Sequence, residues 1–277
     1  MNTRTRRSHV LGIVAILVSA IVFLIPFAFI LLTSFKTQEQ ASLLDFALPV
    51  DFAFVENVVA VFQTNDYMLV TAFINSTILT VASVAIMVVL SAMVGWVLAR
   101  RPSRWNGPIS FLVLAGLIVP PAVVPTIWVL QSLGLFKTLH GLVLIEVAYG
   151  MAFCILLFRS FVSTIPKELD EAAIIDGAGP VRLFFQVAFP LLRSVIVTAI
   201  VVQAVAVFND FANPLYFLPG AENATVQLTL YNFQSQYQTS WNLLFTDILL
   251  ITIPPLIMYI FFNRQIVAGM TAGAIKG

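Results

Sequence analysis

Charge is scarce in this sequence: Asp, Glu, Lys and Arg together make up 10% of its 277 residues, whereas hydrophobic residues make up 60%. Soluble globular proteins carry about 25% charged residues, so this chain has too few charges to cover a water-exposed surface. A lipid-facing surface removes that requirement, because hydrocarbon favours apolar side chains. The composition therefore excludes an ordinary soluble domain and predicts an integral membrane protein.

The sequence also has only one cysteine and two histidines, and it lacks a phosphate-binding loop of the G-x-x-x-x-G-K-[ST] type. The single cysteine, Cys154, excludes an intrachain disulfide. His9 and His140 lack Cys or acidic neighbours at metal-ligand spacing, and they lie outside the centres of the apolar runs, which disfavours an intramembrane enzyme. We therefore expect no enzyme activity, no metal and no cofactor on this chain.

Six apolar stretches are long enough to cross a bilayer, which takes about 20 helical residues. We predict spans over approximately 10–32, 70–99, 109–130, 141–158, 191–211 and 243–262. The first stretch follows three arginines like a signal peptide, but it is longer than the usual apolar core of about 7–15 residues. We interpret it as an uncleaved span. Kinks are predicted in spans one, three and six by Pro26, Pro120, Pro121, Pro125, Pro254 and Pro255.

Lys and Arg are distributed very unevenly between the two sides of these spans. With the N-terminus inside, only Lys36 and Lys137 of the 14 basic residues fall in outer segments, which leaves 12 inside. Cytoplasmic segments carry the excess of positive charge in membrane proteins. Both termini are therefore predicted to be cytoplasmic.

The inner segment 159–190 has the pattern of helix, turn and helix rather than of a simple connector. Pro166 suits the first helical position, where its missing N–H costs nothing. Carboxylates follow in the first turns, where they favour the positive helix end: Glu168, Asp170 and Glu171. Gly177 and Gly179 then supply stop signals, and Pro180 begins a second short helix.

Within this segment, Glu171-Ala172-Ala173 is followed after three residues by Gly177, and after nine more by residues 187–190, Val-Ala-Phe-Pro. The spacing resembles the signature of ABC-importer permeases, E-A-A, three residues, G, nine residues, I-x-L-P, with Val187 and Phe189 as conservative departures. The resemblance implies an all-α type I ABC importer permease fold in which this segment is a coupling helix that docks in a cleft of an ATP-binding subunit. The residues implied in coupling are Glu171, Ala172, Ala173, Asp176, Gly177 and Pro190. The alternative is a helix lying on the inner leaflet, but such helices favour Lys and Arg over acids.

Two further elements resemble the sugar-importing subfamily. Residues 208–211, Phe-Asn-Asp-Phe, are similar to its W-N-D-F element, and residues 269–277 are similar to the tail of the second permease of maltose-type systems. There the tail inserts between the ATPase subunits, which implies ATPase contacts for Gly273, Ala274, Ile275, Lys276 and Gly277. Candidates for the substrate path are Asn75, Gln203, Asn209 and Asp210, with hydrogen bonding between helices as the alternative. Glu146, Asp210 and Asp247 are marginal as ionisable residues inside spans, since each is also consistent with a carboxylate in water at the outer interface, and Asp210 gains weight from the family element.

Taken with the resemblance, the sequence predicts one transmembrane permease domain over 1–277 in a prokaryotic inner membrane. Its core spans cover about 70–262, its coupling loop 159–190 and its tail 263–277. Expected partners are a second permease, two ATP-binding subunits that use ATP and Mg, an extracytoplasmic solute-binding protein and the lipid bilayer, but no nucleic acid. The expected cargo is an oligosaccharide, polyol or glycoside. Alternatives are an ABC permease for a non-sugar solute and an ion-coupled carrier, although a carrier needs mid-membrane charges that the sequence lacks.

Overall fold

The computed structural model describes residues 3–234 and 239–274, with side chains over 12–234 and 239–263. Within these residues the structure is helical, and its only β pairing is a bridge between Gln234 and Thr239. The helices are α1 (Thr3–Ser34), α2 (Gln38–Ala41), α3 (Phe54–Gln63), α4 (Met68–Arg100), α5 (Asn106–Ile118), α6 (Val123–Ser132), α7 (Leu139–Val162), α8 (Glu168–Ile175), α9 (Pro180–Leu191), α10 (Arg193–Phe208), α11 (Ala212–Phe217), α12 (Val226–Thr229) and α13 (Trp241–Ala274).

Among the described residues, four helical segments are individually long and apolar enough to cross a membrane: Gly12–Ser34, Met68–Arg100, Leu139–Val162 and Trp241–Asn263. Two bent pairs, α5 with α6 and α9 with α10, raise the number to six if each pair is one span. Every predicted span thus coincides with a helix or a bent pair. The prediction of an all-helical membrane protein with about six spans is confirmed.

The third predicted span, 109–130, is not one helix. α5 and α6 are bent by 117° at the break between them. Pro120 and Pro121 occupy that break, and neither has an N–H with which to continue the helical hydrogen bonds. Val119 precedes a proline, which disfavours the helical region, and it is extended at φ −76°, ψ 123°. The predicted kink is therefore a complete break.

Prolines in the first and last helices have a different outcome. α1 runs unbroken through Pro26, and α13 runs unbroken through Pro254 and Pro255. Membrane helices tolerate proline where neighbouring groups satisfy the freed carbonyls. The kinks predicted in spans one and six therefore do not interrupt either helix.

The segment predicted as a tail, 263–277, continues α13 as far as Ala274. Its glycines and small residues indicated weak helix propensity, but extending an existing helix costs much less than nucleating a new one. Gly273 and Ala274 are consequently the last residues of α13. Ile275, Lys276 and Gly277 lie outside the described residues.

The described parts of Met1–Val70 and Thr229–Ile253 form one compact unit. In it the Lys36 side chain is fully buried, and its Nζ donates to both the carboxylate Oδ1 and the backbone carbonyl of Asp45, each at 2.7 Å. The hydrogen bond from Lys36 holds the pKa of Asp45 below its ordinary value of 3.8. Asp45 is therefore ionised at neutral pH and compensates the buried ammonium, which would otherwise be strongly unfavourable.

Thr71–Leu228 and the described part of Pro254–Gly277 form a second compact unit. Side chains from α4, α7, α9 and α10 make its core, in which the largest fully buried members include Leu79, Met87, Phe158, Leu183 and Leu192. The same helices leave apolar side chains exposed, for example Ile74 and Val81 on α4. Such a surface is a liability in water and suits contact with lipid. The predicted coupling residues and the candidates Asn75, Glu146, Gln203, Asn209 and Asp210 fall within the range of this unit, whereas Asp247 belongs to the first.

Candidate functional site

Helix α8 lies between α7 and α9, where the sequence predicted the first helix of the coupling segment. It begins at Glu168, so the prediction of Pro166 at the first helical position is wrong. The carbonyl of Lys167 accepts the first hydrogen bonds, from the N–H groups of Asp170 at 3.0 Å and Glu171 at 3.1 Å. Lys167 is thus the N-cap, and Pro166 precedes the helix by two residues.

One face of α8 is exposed along its whole length, and we term it the coupling face. Its residues recur at the i, i+3, i+4, i+7, i+8 spacing that places side chains on one side of a helix: Glu168, Glu171, Ala172, Ile175 and the C-cap residue Asp176. Ile175 is 85% exposed, which is unusual for a large apolar side chain beside three carboxylates. The face therefore combines an apolar centre with negative charge.

Of α8, Asp170 and Ala173 are turned towards the protein, while Leu169 and Ile174 are exposed in addition to the coupling face. Asp170 is only 8% exposed, so it differs from the other two acidic residues of the first turn. Ala173 is partly buried and packs against the core of the second unit. Of the residues predicted to act in coupling, Glu171, Ala172 and Asp176 are therefore accessible to a partner, while Ala173 is not fully so.

Gly177 ends α8 by adopting φ +79°, a left-handed conformation that costs an L-residue with a side chain about 1–2 kcal/mol. Its N–H donates to the carbonyl of Ile174 at 3.0 Å, and that of Ala178 donates to the carbonyl of Ala173 at 2.9 Å. Pro180 begins α9 at the first helical position as predicted, while Gly179, predicted as a stop signal, is the N-cap of α9. The predicted helix–turn–helix is present.

α9 leads from this turn into the predicted fifth span. It is wound as a π-helix over Leu183–Ala188, and the exposed Pro190 lies in its last turn. The chain then bends by 77° before α10. Within the predicted span 191–211 the straight helix is α10, the 16 residues of Arg193–Phe208, and it reaches the length of a span only together with α9.

A cavity of about 330 Å³ opens between α7 and α10. Its lining is mixed in chemistry, with two carboxyls, an amide, a phenol and a phenyl ring among small side chains: Glu146, Tyr149, Gly150, Phe153, Gln203, Ala206, Val207 and Asp210. Gln203 is 8% exposed and Glu146 is 6% exposed. The hydroxyl of Tyr149 is buried and has no hydrogen-bond partner among the residues that the structure describes. Acceptors, donors and aromatic faces together are the chemistry that hydroxylated solutes require.

The structure brings two of the four predicted substrate-path residues, Gln203 and Asp210, to this cavity. Asp210 also accepts hydrogen bonds from the N–H groups of Ala212 at 2.9 Å and Asn213 at 3.3 Å, at the start of α11. Asn213 in turn donates to Glu146 at 3.1 Å. Asp210 therefore has a structural role at the cavity rim.

The other two predicted substrate-path residues, Asn75 and Asn209, do not line this cavity and instead form hydrogen bonds with other residues of the chain. Asn75 donates to the carbonyls of Glu222 at 3.3 Å and Ala224 at 3.1 Å. Asn209 donates to the carbonyl of Val205 at 3.0 Å and accepts from Gln227 at 3.2 Å. These contacts match the alternative of hydrogen bonding within the protein.

Sequence reasoning gave too little weight to Glu146 and Asp247 and did not single out Arg100. Glu146 and Asp247 are buried rather than in water. Arg100 contributed only to the count of inner positive charges, yet it forms an ion pair with Asp170 at 2.8 Å. No local sequence signal joins residues 70 positions apart, so this pair could be found only in three dimensions.

Comparison with known proteins gives one family match and relatives of similar length. The family model for binding-protein-dependent transport system inner membrane components matches residues 87–271, a range that includes α8 and the cavity. The melibiose/raffinose/stachyose import permease protein MelC of Bacillus subtilis is 29% identical over 277 residues, covering 99% of each chain. The probable ABC transporter permease protein YurM of the same organism is 30% identical over 283 residues, covering 100% of this chain and 93% of its own.

A solved structure shares the fold. It is the crystal structure of a bacterial ABC transporter involved in the import of the acidic polysaccharide alginate, one chain of which superimposes with a TM-score of 0.82. The match covers 95% of this chain and 98% of that chain at 20% sequence identity. At this identity the likeness establishes architecture.

Proposed function

The chain belongs to the family of binding-protein-dependent transport system inner membrane components and is therefore a multi-pass inner-membrane protein. We propose that it is a permease subunit of an ATP-driven importer for oligosaccharides or related polyols and glycosides. The observation that carries the proposal is the end-to-end similarity to MelC, whose name specifies melibiose, raffinose and stachyose. The named cargo of the alginate transporter is also a saccharide.

The coupling face supports the link to an ATPase. A helix that exposes Ile175 between Glu171 and Asp176 fits a groove with an apolar floor and basic rims. Burial of the isoleucine would contribute about 1.5–3 kcal/mol, and the carboxylates would set orientation more than affinity. We assign this face to an ATP-binding subunit, which binds ATP and Mg and performs hydrolysis in place of this chain. The tail, Gly273 to Gly277, is assigned to the same subunits.

The cavity supports a substrate path. Sugars are bound by planar polar side chains and by aromatic faces, and a cleft with a few convergent polar groups is the usual binding arrangement. We assign Gln203 and Glu146 to hydroxyl contacts during passage and Phe153 to stacking. A second permease completes the path, and an extracytoplasmic solute-binding protein delivers the sugar.

The proposal is tested by purifying the tagged chain after co-expression with a candidate second permease, ATP-binding subunit and binding protein from the same organism. We expect the ATP-binding subunit to copurify and hydrolysis to be stimulated by sugar-loaded binding protein in proteoliposomes. The chain purified alone should hydrolyse no ATP. A chain that imports sugar without any ATPase, driven by an ion gradient, would contradict the proposal.

Replacement of Gln203 tests the path itself. Gln203→Leu keeps the side-chain volume and removes the amide, so import should fall about two- to tenfold, the value of one uncharged hydrogen bond. Binding-protein-stimulated hydrolysis should persist, because the cavity is separate from the coupling face. Gln131→Leu, the same change at an exposed position of α6, is the matched control. Equal import rates in both variants would exclude the cavity from the path.

A further inference from the structure

The inner end of α4 is fastened to the segment that carries α8. Arg100, the last residue of α4, lies with its Nε 2.8 Å from Oδ2 of Asp170. A second guanidinium nitrogen donates to the carbonyl of Ile165 at 2.7 Å and, more weakly, to that of Pro166 at 3.4 Å. One side chain therefore binds both α8 and the turn that leads into it.

This contact is buried, unlike the charges of the coupling face. The side chains of Arg100 and Asp170 are 7% and 11% exposed. A buried charge is strongly unfavourable without its partner, so neither side chain has a stable position away from the other. The planar guanidinium has its donors in fixed directions: one nitrogen is aligned with the Ile165 carbonyl, whereas the contact of Nε with Asp170 is an ion pair without an aligned hydrogen bond.

Other contacts hold α8 less firmly. The helix has eight residues, about 12 Å at 1.5 Å per residue, and a helix so short does not persist alone in water. Towards the core it presents Ala173, whose single methyl group buries little apolar area. α8 also packs against the Leu183–Ala188 part of α9, so the ion pair is the charged contact that fixes α8 to α4 in addition to that packing.

α4 also binds the chain near its other end. Asn75 holds the carbonyls of Glu222 and Ala224, and the Ser76 hydroxyl accepts from the N–H of Val226 at 3.0 Å. Positions 75 and 100 are about 25 residues apart on one helix, or roughly 37 Å. A single span therefore connects α8 with the segment between α11 and α12.

We infer that Arg100 is a positioning residue that locks α8 to α4 through Asp170, so that movement of the coupling face is passed to α4. The inference rests on the proposed function for its transport consequence, but the fixation of α8 is a property of this chain alone. Asp170 is accordingly an internal anchor and is not offered to the ATPase.

The test compares Arg100→Met, Asp170→Asn and the double variant in the complete complex in proteoliposomes. Arg101→Met, the same change one residue later at an exposed position, is the control. We expect each single variant to import roughly tenfold less sugar per ATP hydrolysed, and the control to stay within about twofold of wild type. The single variants each leave one buried charge unpaired and should therefore melt at a lower temperature than wild type. The double variant leaves no unpaired charge, so its melting temperature should return towards wild type, but its import-to-hydrolysis ratio should stay low. A wild-type ratio in either single variant, or its return in the double variant, overturns the inference.

Hydrogen exchange on the chain alone in detergent provides the measurement that does not depend on partners. Amides of residues 168–175 should exchange about tenfold faster in both single variants, with no change in Arg101→Met. Unchanged exchange in the single variants overturns the inference even if their complexes fail to assemble. If wild-type complexes import no sugar while exchange responds as expected, the proposed function fails and the anchoring of α8 stands.

Discussion

Replacing Gly177 with proline is expected to lower the import rate by more than about tenfold, while the amount of chain inserted in the membrane stays unchanged. Proline fixes φ near −65°, whereas Gly177 has φ +79°. It also removes the N–H that donates to the carbonyl of Ile174 at 3.0 Å. The chain would then leave α8 in another direction and displace the coupling face. Insertion is unaffected because Gly177 lies outside the spans.

A graded series at the same position separates backbone strain from crowding. A Cβ added at Gly177 meets no atom within 4 Å, so Gly177→Ala carries only the strain of about 1–2 kcal/mol. Asparagine tolerates this conformation better than alanine does. Import should therefore decrease in the order Gly, Asn, Ala, Pro. A proline variant that imports at the wild-type rate would show that the turn does not position the coupling face.

The sequence predicted the bounds of the spans best where a long apolar composition alone is enough to determine a membrane helix. The spans predicted at 70–99 and 141–158 correspond to Met68–Arg100 and Leu139–Val162. Each is apolar over more than a bilayer thickness, and a backbone in lipid has to satisfy its own hydrogen bonds. The turn at Gly177 was predictable for a similar reason, because a helix stop depends on a few adjacent residues.

Prolines show where local reasoning fails. Pro120 and Pro121 accompany a 117° break, while Pro254 and Pro255, also a proline pair, remain inside a continuous helix. The missing N–H is the same in both places. The outcome depends on whether neighbouring groups donate hydrogen bonds to the freed carbonyls, and tertiary packing decides which groups those are.

The residues of the candidate site also fall into those that local sequence patterns predict and those whose positions depend on distant contacts. The exposed residues Glu171 and Asp176 follow from helical spacing and the family signature, whereas the burial of Asp170 depends on Arg100, 70 positions earlier. Asn75 was predicted as a candidate for contact with the substrate, but the sequence of an apolar run does not distinguish a polar residue that binds a solute from one that binds a backbone carbonyl. The structure gives it two carbonyl partners.

At Gly95, α4 lies directly against the backbone of α7. A Cβ at this position would lie 2.8 Å from Cβ of Phe158, 2.9 Å from the backbone nitrogen of Arg159 and 3.1 Å from the carbonyl oxygen of Ile155. Two of these atoms belong to the backbone of α7, and Phe158 is fully buried. Small residues are enriched where membrane helices pack closely, and here nothing flexible can give way.

Gly95→Val therefore forces α4 away from α7 and destabilises the second unit by about 3 kcal/mol, the upper end of the usual cost of overpacking. The expected fall in melting temperature of the detergent-purified chain is roughly 6–12 °C. Sugar import should fall with it, because α4 carries Arg100 and α7 lines the cavity. Gly107→Val is the matched control, since a Cβ at Gly107 meets no atom within 4 Å, and it should melt close to wild type. A Gly95→Val chain that melts with the control would mean that α4 and α7 pack less closely than the structure shows.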